Sequence, residues 1–165
     1  MLTRIDYKNA SPAVIKAMFH LQNTVDRSGL EHSLLELVKL RASQINGCAH
    51  CIEMHFKDAK AQGERDERLY LLNAWREAPF YSERERAALL WTETLTLISE
   101  NGAPDDVYQE VREQFDEQEL ANLTLAIVTI NGWNRFAIGF RAEVGNYEPN
   151  KTASSSPAMH VGSSS

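Results

Sequence analysis

Residues 37–55 read LVKLRASQINGCAHCIEMH, and this stretch decides the fold. Its left half carries helical periodicity. Leu34, Leu37, Val38, Ala42 and Ile45 share one face of a helix from about Glu31 to Asn46. Gly47 ends that helix, because glycine takes the left-handed conformation that a helix C-terminus favours. A further helix starts near Cys48 and fades at Gly63. Cys48 and Cys51 are the chain's two cysteines, spaced as C-x-x-C in the first turn of that helix. His55 lies one turn past Cys51 on the same face.

That arrangement suits thiol–disulfide chemistry or a metal. The thiolate is the reactive form of cysteine, and the free N–H groups at a helix start favour it. An imidazole one turn away can take up the thiol proton or return one to a leaving group. Cys48, nearer the helix end, is expected to be the more exposed sulfur. His50 points to a different side and gains a role only if another element or subunit meets it there. Glu36 sits at the edge of the apolar arc of its helix. If the two helices form a hairpin, it approaches the thiols, where a carboxylate could shuttle protons or hold an imidazole in one orientation. Cys48, Cys51, His55 and Glu36 together also make four candidate zinc ligands. A thioredoxin-like fold uses the same motif at a helix start but needs flanking strands, and none is legible here.

Outward from this stretch, nearly every segment reads as helix. Ser11-Pro12 opens an amphipathic helix carrying Val14, Ile15, Met18, Leu21 and Val25. Another runs from about Asp66 to Glu77. Ser82 with Glu85 forms a capping box for a helix ending at Asn101-Gly102, and Pro104 opens a short one. Asp116 with Glu119 launches a long last helix through Ile138. Its apolar residues go nearly all the way round, which predicts a central buried helix or an oligomer seam. Arg41 projects into the apolar face of its helix and needs a partner, for which Glu93 and Glu85 are candidates. Asn131 and Asn134 interrupt the most apolar helix, either to cap internal carbonyls or to line the pocket above the thiols.

Length and charge narrow the classes further. The chain of 165 residues suits one domain with a proper core, placed at 1–148, followed by a Ser/Gly-rich tail at 149–165 that is expected to be mobile. A net charge of −6 argues against nucleic acid or anionic membrane as partner. The start lacks a signal-peptide core, so a cytoplasmic protein is expected, where paired cysteines serve redox or metal chemistry rather than a structural staple.

Glu36, eleven residues, Cys48, two residues, Cys51, three residues and His55 together resemble the signature of AhpD-like alkylhydroperoxidases, within the carboxymuconolactone decarboxylase family. The flanking LVKLRASQINGCAHC and the later ERAALLWTETLT are similar too, and the resemblance spans roughly residues 10–145. It implies an all-α helical bundle that assembles as a homo-oligomer, a trimer or hexamer. It implies reduction of hydroperoxides without a bound cofactor, with electrons from a dithiol reductant or redox partner protein. By position, Cys51 would attack the peroxide and Cys48 resolve it, with Glu36, His55 and His50 as the proton relay. The signature lies in the first third of this chain, whereas better-characterised AhpD peroxidases carry it late. Lactone decarboxylation, the family's other branch, is the competing enzyme reading, and it leaves the paired thiols unexplained.

Overall fold

The computed structural model describes residues 2–149, so the expected tail lies almost wholly outside the described residues. Among the described residues the chain is helical and contains no strand. The helices are Tyr7–Ala10 (α1), Pro12–Asp26 (α2), His32–Asn46 (α3), Ala49–Ala61 (α4), Asp66–Tyr70 (α5), Glu83–Thr96 (α6), Ile98–Asn101 (α7), Asp105–Arg112 (α8) and Glu117–Phe140 (α9).

The centre of the bundle is α3, which packs against α4, α6 and α9. One side of it, through Leu34, Leu35 and Val38, joins Phe115, Leu123 and Ile127. The other side, through Leu37 and Leu40, joins Leu69, Leu72, Trp75 and Leu89. Burying each of these side chains contributes on the order of 1.5–3 kcal/mol. Of the two readings offered for the last helix, central helix or oligomer seam, the first gives way to α3, which sits at the centre. A single apolar arc of α9 faces inward, while Val128 and Ile138 stand exposed on it. Phe115 fills the first core, and the Arg84 guanidinium stacks over its ring at 4.2 Å. Phe115→Ala is expected to lower unfolding stability by about 3–5 kcal/mol in urea titrations, through lost burial and the cavity left behind.

Local signals explain most of the boundaries. Gly47 closes α3 in the left-handed region (φ 68°) and turns the chain straight into α4. Both capping boxes form, Ser82 with Glu85 and Asp116 with Glu119. Pro12 stands at the start of α2, although the Ser11 side chain makes no capping bond. The helix expected over 66–77 breaks after Tyr70, and Leu72–Ala74 form a 3₁₀ turn. Leu72 on this turn, and Trp75 and Ala78 after it, are all buried. The helix expected to reach Asn101 is interrupted at Leu97 (φ −100°, ψ 30°).

Two features hold the C-terminal half of α9. Gly132 lets α2 approach closely, since a Cβ there would meet Met18 Cε at 3.0 Å. The N-terminal segment, including α1, was not visible in the periodicity. Asp6 caps α1, and Tyr7 stacks on Phe136 and Phe140 at 5.0 and 5.5 Å. Arg4 supplies donors to the carbonyls of Gly139 and Phe140, which end α9 without intrahelical partners. No helix among the described residues is long and apolar enough to cross a membrane.

Candidate functional site

The helix pair α3–α4, joined at Gly47, carries the site. Cys48 is the N-cap of α4, and its Sγ accepts the Cys51 backbone N–H at 3.3 Å. An N–H aimed at a sulfur from a helix start stabilises negative charge there when the bond is reduced. Cys48 and Cys51 are joined as a disulfide, with Cα atoms 5.3 Å apart. The expected difference in exposure is not found: both residues are 1% exposed, because Ala137 of α9 and Ala142 beyond it pack on them.

Glu36 and His55 meet across the hairpin. His55 Nδ1 lies 3.0 Å from Glu36 Oε2, and both side chains are buried. Burial alone would raise the Glu36 carboxyl, but the hydrogen bond and positive charge of His55, followed by the Lys39 ammonium, outweigh it and hold the pKa down to about 2. An ionised carboxylate only accepts, so Nδ1 carries the proton. In the neutral form of the ring the lone pair then lies on Nε2. That atom is buried, and among the described residues no hydrogen-bond partner reaches it. Cys51, Glu36, Lys39 and His55 border one cavity of about 480 Å³, whose outer wall includes Tyr7, Phe19 and Trp133. His55 follows Cys51 by one helical turn, and both residues border this cavity.

The depressed Glu36 pKa is also a statement about stability. The group's folded-state value lies below its ordinary value of 4.5. Its contribution is fully present above that value and is lost as pH falls from about 4.5 toward 2. Linkage puts it at about 3 kcal/mol. Glu36→Gln is expected to flatten the stability–pH curve across that acid window while lowering stability at neutral pH, where Lys39 loses its counter-ion. Chemical denaturation at a series of pH values checks both.

The segment after α9 completes the surroundings. His50 Nδ1 donates to the Glu143 carbonyl oxygen at 2.6 Å, which fixes the ring's tautomer. So an element does meet His50, and it is the chain's own. Gly145 N–H donates to Glu53, Lys57 to the Tyr147 carbonyl, and the Tyr147 hydroxyl to Asp58 Oδ1 at 2.6 Å. Burial, then the negative charge of Glu36, raises the Asp58 carboxyl, and Tyr147 offsets part of this. A second cavity, about 620 Å³, opens beside Cys48 between Gly47, His50, Arg141 and Glu143. His50 borders both cavities.

Lys39, Asp58 and Tyr147 were not singled out in the sequence. Lys39 and Asp58 stand three residues after Glu36 and His55, a spacing that places each on its neighbour's face. Tyr147 reaches α4 by a long-range contact that leaves no local signal. Arg41 pairs with Glu93 at 2.9 Å, alongside Trp75, while Glu85 serves Arg68 instead. Asn131 and Asn134 do not border the thiol cavity. Both accept from Asn46 at 2.9 Å, Asn134 donates to Ser43, and Asn131 donates to the Ile127 carbonyl, so they stitch α9 to α3.

The four-ligand zinc set does not assemble. The two sulfurs are bonded to each other, and among the described residues the donors that converge are Glu36, His55 and Asp58. Lys39 already occupies Glu36, and Tyr147 occupies Asp58.

The chain is thus an all-helical bundle that holds a buried C-x-x-C disulfide and a buried carboxylate–imidazole pair on adjacent helices. The chain belongs to the carboxymuconolactone decarboxylase family, which it matches over residues 12–94. It is 43% identical over 138 residues to the Bacillus subtilis protein YdfG, covering 84% of this chain and 94% of that one. It is 47% identical to ATU0492 of Agrobacterium tumefaciens, a crystal structure described as that of a candidate antioxidant defence protein AhpD. That likeness has a TM-score of 0.85 and covers 87% of this chain and 99% of that one. The alkylhydroperoxidase AhpD core of a peroxidase-related protein from Ralstonia eutropha JMP134 shares the fold at 16% identity. Its TM-score is 0.74, over 85% of this chain and 75% of that one. Together these make the protein AhpD-like and support a redox role at the level of the family.

Proposed function

We propose that this protein is a thiol-dependent hydroperoxidase whose disulfide is returned to the dithiol by an external dithiol. The observation that carries the reading is the buried, unpartnered Nε2 of His55, one helical turn from Cys51, with Nδ1 anchored on Glu36. His55 takes the Cys51 proton, and the thiolate attacks the terminal oxygen of R–O–O–H. The O–O bond breaks, Cys51 becomes the sulfenic acid, and the alkoxide leaves with the proton held by His55 as R–OH. Cys48 then attacks the Cys51 sulfur, hydroxide leaves as water with the Cys48 proton, and the disulfide closes. A dithiol donor exchanges with that disulfide and is itself oxidised.

The N-cap position of Cys48 supports its resolving role, because the Cys51 N–H stabilises the thiolate that must attack. The aromatic wall of Tyr7, Phe19 and Trp133 favours an organic hydroperoxide over hydrogen peroxide. The exposed Val128 and Ile138 on α9 support assembly as a homo-oligomer. The competing lactone decarboxylation gives the paired sulfurs no task.

The test is consumption of cumene hydroperoxide with dihydrolipoamide as donor. Steady turnover that saturates in both, and that is faster than with hydrogen peroxide, is the expected result. Absence of turnover, together with decarboxylation of a carboxylated lactone by a variant in which both cysteines are serine, would replace this reading by the other.

A further inference from the structure

Lys39 is a charged side chain inside the bundle that the reaction above leaves without a task. It is buried, its Nζ donates to Glu36 Oε1 at 3.0 Å, and it borders the cavity shared with Cys51. A buried ammonium is costly unless paired, so its place beside the relay calls for a reason. On the far side, Asp26 of α2 stands 3.9 Å from Nζ, half-exposed, and completes a row Asp26–Lys39–Glu36–His55. The two oxygens of Glu36 are thereby divided, Oε1 to Lys39 and Oε2 to the His55 ring.

We propose that Lys39 is a positioning residue that fixes Glu36 as a permanent anion, so that the proton leaving Cys51 stops on His55 and never reaches the carboxylate. This rests on the hydroperoxidase reading for its purpose, though not for its test. A carboxylate saturated by an ammonium and a ring N–H has no reason to accept a proton. Its work is to hold the imidazole with Nδ1–H on the carboxylate and Nε2 left unpaired, and to stabilise the imidazolium once formed. Lys39 acts through it, by locking the carboxylate's plane and charge.

The other charged groups in reach do not supply this lock. From α4, Asp58 is engaged by Tyr147 and carries the wrong sign for Glu36. His32 and Glu64 border a neighbouring cavity with Glu36, His32 bordering the Cys51 cavity as well, and neither bonds to the carboxylate. At the cavity wall, Lys8 and His50 contribute no bond to Glu36.

The test uses the full-length reduced chain carrying Cys48→Ser, in which Cys51 alone is alkylated by iodoacetamide at neutral pH. Lys39→Met is expected to slow this alkylation about tenfold or more, and Lys39→Arg to restore most of it. Glu36→Gln should slow it as well, and Glu36→Gln with Lys39→Met should be no slower than Glu36→Gln alone, because the lysine acts through the carboxylate. Unchanged alkylation in Lys39→Met, or its full loss repeated on the Glu36→Gln background, would overturn the proposal. Carboxyl-carbon NMR on the unsubstituted protein tests it without any variant that must fold. Glu36 should stay ionised from neutral pH to about pH 4, and a carboxyl that titrates near neutrality would also overturn it. Because neither readout involves peroxide, the hydroperoxidase reading can fail while this inference stands, and the reverse.

Discussion

Cys51→Ser is expected to reduce dithiol-dependent hydroperoxide consumption to the uncatalysed background. A serine hydroxyl at this position cannot reach a useful anionic fraction at neutral pH, and an alkoxide has none of sulfur's affinity for the O–O bond. The substitution is close to isosteric in a buried place, so the fold should tolerate it. Cys48→Ser behaves differently under the same mechanism. It should still react once with hydroperoxide, releasing one alcohol per chain, and then stall as the Cys51 sulfenic acid. A dimedone adduct on the Cys51 peptide of that variant, together with its single turnover, separates the attacking sulfur from the resolving one. Adduct formation at Cys48 in the Cys51→Ser protein would reverse the assignment.

The second large effect is at His55. His55→Gln keeps a hydrogen-bonding group toward Glu36 but removes the base at Nε2. The rate of Cys51 oxidation at neutral pH is expected to fall by about 10²–10⁴-fold, the usual worth of a positioned base. The sign of the pH dependence is informative. As pH rises past about 8.5, a free thiol ionises without help, so the deficit of the variant should shrink. Stopped-flow oxidation measured from neutral to alkaline pH reads this directly. A deficit that stays constant with pH would mean that His55 does something other than take the thiol proton.

Much of the site could be read before any coordinates, for a physical reason. Its parts lie on two consecutive helices joined by one glycine, and helical spacing then dictates who faces whom. Gly47 alone is enough to fold α4 back along α3, which brings Glu36 and His55 together although they are nineteen residues apart. The Ser82–Glu85 and Asp116–Glu119 pairs that cap α6 and α9 were equally legible, because a capping box is a local bond pattern. What escaped was non-local. Lys39 reads as a surface lysine on a helix whose solvent face is assumed; it is buried because α3 is enclosed on all sides, which no periodicity within α3 reveals. Cys48 is hidden for a similar reason, since the covering atoms belong to Ala137 and Ala142. Tyr147 and the His50–Glu143 bond depend on where the chain goes after α9. The break after Tyr70 left no mark in the local helical pattern, where Leu69, Leu72 and Trp75 share the spacing of a helical face.

The most direct measurement is mass analysis of the reduced protein after one equivalent of organic hydroperoxide. A cycle run by neighbouring sulfurs requires the peptide spanning Cys48 and Cys51 to lose two hydrogens, with one alcohol released per chain and no remaining free thiol. Both thiols persisting unchanged after the hydroperoxide has been offered in stoichiometric amount would contradict the account.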